Sequence, residues 1–108
     1  MKITLNIPER LYISDLFTLW KGNVLTEGAQ IMECAKSVVL SIEEQTEIEY
    51  VQEGQIRKWN VTKAKDKEVE LNAETKNYIL GKLKERDEAK EATFAEINMV
   101  QELRKKLA

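Results

Sequence analysis

The side chains that could perform chemistry in this 108-residue chain are few. The chain has no histidine and one cysteine, Cys34. Imidazole acid–base catalysis, Ser-His-Asp and Cys-His nucleophiles, and zinc sites that need imidazole are therefore excluded. The four glycines are scattered singly, so no phosphate-binding glycine loop is present, and the glutamates lack the spacing of a calcium loop. A magnesium site of carboxylates alone stays open, but no spacing favours one, and we expect neither enzymatic activity nor a cofactor.

Two runs of opposite charge lie side by side in the middle of the chain. The acidic run consists of Glu43, Glu44, Glu47, Glu49 and Glu53, and the basic run consists of Arg57, Lys58, Lys63, Lys65 and Lys67. Glutamates near the C-terminal end of a helix oppose its macrodipole, so local helix stability does not explain the acidic run. The candidate residues for contact with a partner are Arg57, Lys58, Trp59, Lys63, Lys65, Lys67, Glu43, Glu47 and Glu49.

Three interpretations of these runs are open. The basic run can fold back on the acidic run of the same chain, which is the interpretation we favour. The acidic run of one copy can instead contact the basic run of the next copy and produce a homo-oligomer. In the third interpretation Trp59 stacks on a nucleic-acid base while the lysines follow the phosphates. The net charge of −2, and the acidic residues Asp66 and Glu68 beside the lysines, argue against nucleic acid.

The first elements are predicted to be a short strand and a short helix. Residues 1–7 alternate between apolar and polar types, which is typical of a half-buried strand. Pro8 suits the first turn of a helix, and the apolar residues from Leu11 to Trp20 form one broad face. Gly22-Asn23 is a typical helix end.

A second helix is predicted from Thr26, whose hydroxyl can cap free backbone N–H groups. Apolar side chains then recur at steps of three and four, at Ile31, Ala35, Val38 and Ile42. Cys34 lies on this stripe and is expected to be a small buried hydrophobe. The periodicity fades after Glu44, so the helix either continues to Val51 or gives way to a strand in TEIEYV, residues 46–51.

A small ribbon is predicted between the helical segments. Residues 55–61 (QIRKWNV) and 67–72 (KEVELN) alternate between apolar and polar types and predict a two-stranded antiparallel hairpin. The residues predicted to face each other are Trp59 and Val61 on one strand and Val69 and Leu71 on the other. An isolated hairpin is marginal in water, so a third strand is expected from the N-terminus or from residues 47–51.

The last segment predicts a long C-terminal helix. Asn72 is a good N-cap, and helix-forming residues dominate from there to Leu107. An unbroken helix of this length would be roughly 50 Å long, whereas a compact domain of this size has a radius of gyration of about 13 Å. The helix therefore projects, bends at the charged segment KERDEAKEAT (residues 84–93), or packs against another chain.

These elements predict one α+β domain over residues 1–108, mostly helical, with about three helices and a small antiparallel sheet or hairpin. The start of the chain has no long apolar segment of the kind found in secretory signals. No run reaches the roughly 20 apolar residues of a membrane span, and a single cysteine suits a reducing compartment. We therefore expect a cytoplasmic protein without membrane contact.

Four segments carry a resemblance to a known group of proteins: MKITL (1–5), LWKGN (19–23), SIEEQTEIE (41–49) and KEVELN (67–72). In this order they resemble small phage and prophage proteins of Gram-positive bacteria that are encoded near tail-assembly genes. The resemblance extends over most of the chain as a layout of segments, and it carries over no catalytic or binding residues.

The resemblance implies a phage or prophage origin and action through protein contacts. We therefore expect a non-enzymatic protein-binding protein in tail assembly, located in the bacterial host cytoplasm or in the virion. The alternative is a phage inhibitor that binds and blocks a host defence protein, such as a CRISPR or restriction protein. A weak nucleic-acid-binding protein is the third interpretation.

Overall fold

The structure, a computed structural model, describes residues 1–108 and belongs to the α+β class, as predicted. Its strands are β1 (Lys2–Leu5), β2 (Val51–Glu53), β3 (Ile56–Lys58) and β4 (Lys67–Glu70). Its helices are α1 (Ile7–Thr18), α2 (Ala29–Val38), α3 (Ile42–Glu47), α4 (Ala73–Glu88) and α5 (Ile97–Leu107). A π-helical turn at Val24–Gly28 precedes α2, and a 3-10 turn at Phe94–Glu96 precedes α5. None of the helices has both the length and the apolar character that crossing a membrane requires.

The four strands form two separate antiparallel pairs. β1 pairs with β4, so that Ile3 lies opposite Val69, and β2 pairs with β3. The prediction that the N-terminal strand pairs with the ribbon is confirmed for one ribbon segment, because β1 lies beside β4. The prediction that residues 55–61 pair with residues 67–72 is wrong, because a two-residue turn at Gly54-Gln55 returns the chain from β2 directly into β3.

The main core lies where β1 and β4 meet α1, α2, α4 and α5. Its members are Ile3, Leu5, Ile13, Leu16, Cys34, Val38, Val69, Leu71, Ile79, Leu83, Leu103 and Leu107. Cys34 is buried in it, as predicted.

The sequence predicted that Trp59 and Val61 face Val69 and Leu71, but they do not. Val61 is 75% exposed, and Trp59 packs on a second, smaller cluster formed by Ile7, Leu40 and Ile48.

The first helix begins with a complete capping box. The Asn6 side chain accepts a hydrogen bond from the Glu9 N–H, and the Glu9 side chain accepts one from the Asn6 N–H, each at 2.9 Å. Pro8 lies in the first turn, as predicted. The helix ends at Thr18, before Gly22-Asn23, and the Trp20 ring packs so closely on Gly22 that a Cβ there would lie 2.9 Å from it.

The predicted second helix is divided in two. α2 begins at Ala29 after a turn that no side chain caps, so the prediction of Thr26 as its cap is wrong. α2 ends at Val38, and Ser41 starts α3 with a second capping box, in which its Oγ accepts from the Glu44 N–H at 3.1 Å. Helix and strand were the two alternatives predicted for residues 46–51, and the segment contains part of each, because α3 ends at Glu47 and β2 begins at Val51.

The predicted C-terminal helix bends in its charged middle. Asn72 caps α4 as predicted, since its side chain accepts a hydrogen bond from the Thr75 N–H at 2.9 Å. The helix stops at Glu88, and Lys90 adopts a φ of 56°. Across this break Arg86 pairs with Glu96 at 3.0 Å, and α5 returns to the core. The chain is therefore compact, with a radius of gyration of 14.0 Å.

One buried cation joins three helices. The Arg10 side chain of α1 is 1% exposed. Its guanidinium donates to the carbonyl oxygens of Ser37, Val38 and Val39 at the end of α2, at 3.3, 2.9 and 3.3 Å. It also donates to both carboxylate oxygens of Glu44 on α3, at 2.6 and 2.9 Å. Arg10 thus satisfies helix-terminal carbonyls and fixes the angle between α2 and α3.

We expect Arg10→Lys to lower the free energy of unfolding by about 2–4 kcal/mol, because an ammonium cannot reproduce the planar fork and leaves buried acceptors unpaired. Urea denaturation at neutral pH measures this change. Arg104→Lys is the control, because Arg104 on α5 is exposed and has no ion pair, and it should stay within about 0.5 kcal/mol. Equal stability of the two variants would contradict the role given to Arg10.

Candidate protein-binding surface

The structure brings most of the two charged runs together inside one chain. Lys63 pairs with Glu49 at 2.8 Å, Lys65 with Glu47 at 3.3 Å and Lys67 with Glu44 at 3.8 Å. Arg57 pairs with Asp15 of α1 through two hydrogen bonds of 3.0 and 2.7 Å. Within the chain, the basic run therefore folds back on the acidic run, which is the interpretation favoured from the sequence.

Some of these contacts shift the pKa of a charged group. The hydrogen bond from Lys63 lowers the pKa of Glu49, and the same bond raises the pKa of Lys63. The hydrogen bonds with Asp15 raise the pKa of Arg57. The largest effect is on Glu44, where hydrogen bonding by Arg10 lowers the carboxyl pKa from 4.5 to about 2, against the opposing effect of burial. Each of these shifts favours the charged form of its group.

A small cleft lies between α3 and the segment 63–67. Its volume is about 140 Å³, and Ile7, Leu40 and Ile48 form its apolar part. Arg10 and Glu44 lie in its wall, together with lysines and carboxylates that already pair with one another. Because both basic and acidic residues line the cleft, it has no concentrated field for an anionic ligand.

Trp59 belongs to the packing beneath this region. Its half-buried ring and that of Tyr50 cover the cluster of Ile7, Leu40 and Ile48. Three of the lysines that would follow a phosphate backbone, Lys63, Lys65 and Lys67, are paired with glutamates of the same chain. Of the residues proposed for nucleic-acid contact, Lys58 alone makes no ion pair or packing contact of this kind.

The β2–β3 hairpin (residues 51–58) has one face toward the body of the protein and one face toward solvent. Tyr50 and Trp59 pack on the smaller cluster, and Arg57 reaches α1. Gln52 lies on the same side of the hairpin, where its Oε1 accepts from Tyr50 Oη at 3.3 Å. The outward face consists of Val51, Glu53, Ile56 and Lys58. Val51 is 50% exposed and Ile56 is 60% exposed, so this outward face presents aliphatic surface to solvent.

The sequence pointed to only part of this surface. It identifies Arg57, Lys58 and Trp59 as contact residues and places Ile56 in a hairpin strand, but with residues 67–72 as the partner strand. It assigns Val51 only to the end of a helix or to a third strand, and Glu53 only to the acidic run. The available signal was the glycine at position 54, flanked by short alternating stretches. Glu43 is an exposed residue of α3 that has no ion-pair partner, and it lies outside the β2–β3 hairpin.

No group of three or more His, Cys, Asp or Glu residues is placed to hold a metal ion.

We expect the Arg10–Glu44 pair to make stability depend on pH between about 4.5 and 2. The lowered pKa favours the folded state above pH 4.5, and this contribution is lost as the pH falls toward 2. Because Glu44 is partly exposed and solvent screens its charge, the free energy of unfolding should fall by about 1–2 kcal/mol. Urea denaturation at neutral and acidic pH should show this loss in the parent protein and in the neighbouring control Glu43→Gln, whereas Glu44→Gln should show less of it. An unchanged acid response in Glu44→Gln would contradict the assignment.

Two glycines provide a matched test of the hairpin turn. A Cβ at Gly54 or at Gly81 would meet no atom within 4 Å, but only Gly54 has a positive φ, of 60°. Gly54→Ala should therefore destabilise the protein by about 1 kcal/mol through backbone strain. Gly81→Ala, in the exposed interior of α4, should stabilise it by about 0.5–1 kcal/mol. Thermal unfolding of both variants measures the difference, and a neutral Gly54→Ala would show that this turn is not required.

Comparison of the chain with protein-family models, with characterised proteins and with solved structures finds no match. The resemblance to phage proteins encoded near tail-assembly genes therefore stays a prediction from the sequence. The functional proposal rests on the surface described above and on that resemblance.

Proposed function

We propose that this chain is a non-enzymatic, phage-encoded protein that acts in tail assembly by binding another protein. The observation that carries the proposal is the β2–β3 hairpin, whose outward face and outer edges are covered by no other strand of the chain. The order of segments that resembles tail-associated phage proteins supports the phage context.

The hairpin has the physical properties of a contact surface for a protein. Its strands have three residues each, and their outer edges offer backbone donors and acceptors that a partner strand can satisfy. Val51 and Ile56 add apolar area beside these edges. Burial of apolar side chains at about 25 cal/mol per Å² favours such a contact.

The fold holds this hairpin in place rather than leaving it to move as a free loop. Arg57 fixes β3 to α1, and the aromatic rings on either side of the hairpin pack on the smaller cluster. A surface that is ordered before binding loses less conformational entropy in the complex. The proposal therefore assigns partner contact to the outward face and structural support to the inward face.

The test is an affinity pull-down of the tagged protein from phage-infected host lysate, with the bound proteins identified by mass spectrometry. We expect recovery of phage structural proteins. Ile56→Asp should reduce this recovery about tenfold, because it places a charge in the centre of the apolar contact. Val61→Asp is the control, since Val61 is 75% exposed but lies outside the hairpin.

Circular dichroism of both variants checks that they fold. Recovery of phage structural proteins that depends on Ile56 supports the proposal. Recovery of a host nuclease or another defence protein in their place would overturn tail assembly and favour an inhibitor of host defence. Equal loss of binding in Ile56→Asp and Val61→Asp would overturn the assignment to the hairpin.

A further inference from the structure

Three charges of the two runs have no ion-pair partner within the chain. They are Glu43, Glu53 and Lys58, whereas the other members of the runs are paired. Glu53 and Lys58 lie on the outward face of the same hairpin, one on each strand. The two strands therefore present unpaired charges of opposite sign beside two unpaired backbone edges.

The two edges of the hairpin differ in charge. β2 has the sequence Val-Gln-Glu, and β3 has the sequence Ile-Arg-Lys. In a hairpin with a two-residue turn the closing pair is hydrogen-bonded, and hydrogen-bonded pairs alternate with pairs that are not. Since Glu53 and Ile56 close this turn, the peptide groups of Gln52 and Arg57 are expected to point away from the hairpin, toward the two outer edges.

We propose that the β2 edge of one copy pairs in antiparallel fashion with the β3 edge of a second copy, so that the partner of this surface includes the same chain. The inference rests on the proposed function, because it names the partner of the same hairpin. With the register of the hairpin repeated, Gln52 of one copy lies opposite Arg57 of the next. Glu53 then lies diagonally across from Lys58 of the next copy, at about 7–8 Å, which long side chains can span.

Charge favours this head-to-tail arrangement over the two symmetric ones. Pairing of two β3 edges about a two-fold axis through Arg57 would place two Arg57 side chains, each already paired with Asp15, opposite each other. Lys58 would then lie opposite Ile56 and gain no carboxylate. Pairing of two β2 edges through Gln52 would place Glu53 opposite Val51 and bring no cation near the carboxylate. The β2–β3 contact alone places Lys58 of a second copy beside Glu53, on the side away from the Lys58 that already lies diagonally across from it in the same hairpin.

The geometry of such a contact has a consequence for assembly. Each copy uses its β2 edge for one neighbour and its β3 edge for another, so the interface is heterologous. A heterologous interface produces a ring if the rotation between copies closes and a filament if it does not. The contact surface is small, so we expect association that depends on protein concentration.

The test is charge reversal with mixing, followed by sedimentation velocity over a wide range of protein concentration. The parent protein should associate as its concentration rises. Glu53→Lys alone and Lys58→Glu alone should each weaken association about threefold to fivefold, because each replaces attraction by repulsion. An equimolar mixture of these two variants should restore it, because every contact in an alternating chain then joins a lysine to a glutamate.

Glu33→Lys and Lys36→Glu are the matched controls, since both residues are exposed on α2 and have no ion pair, and neither should change association. In the parent protein, amide hydrogen exchange at Gln52 and Arg57 should slow as the concentration rises. A parent protein that stays monomeric, or a mixture that does not recover, would overturn the inference. If the parent protein stays monomeric while pull-down still recovers phage proteins through Ile56, the inference fails and the proposed function stands.

Discussion

The buried guanidinium of Arg10 is the interaction on which the middle of the molecule depends. A charge that is 1% exposed must keep all its partners, because the low-polarity interior penalises any donor left unpaired. Its partners are the carbonyl groups that end α2 and the carboxylate of Glu44 on α3. This requirement fixes where the chain turns after α2, and so places the acidic helix against the first helix.

The position of α3 in turn determines what the charged residues after it can do. Once Glu44, Glu47 and Glu49 face the segment 63–67, its lysines pair with them. Exposed pairs of this kind each contribute little to stability, about 0–1 kcal/mol. Their main effect is to neutralise most of both runs, which leaves the charges of Glu53 and Lys58 free on the hairpin that we propose as the contact surface.

The C-terminal segment closes the fold from the other side. α5 brings Leu103 and Leu107 into the core, and Lys106 donates to Glu9 at 2.6 Å, which joins the end of the chain to its first helix. Glu9 is also part of the box that caps α1. The bend at residues 89–93 makes this return path available, and the Arg86–Glu96 pair spans the bend. The two ends of the chain thus support the scaffold that carries the hairpin.

The sequence by itself determined the features that depend on neighbouring residues: the α+β class, the first strand, Pro8 in the first turn, the cap at Asn72 and the burial of Cys34. Tertiary structure decided the strand partners and the helix breaks. Alternation tells which face of a strand is buried but not which strand lies beside it, because any strand with a matching apolar face satisfies the pattern. Likewise, helix propensity continues through the charged residues 84–93, and the chain bends there because the return of α5 to the core buries apolar surface that a straight helix would leave in water.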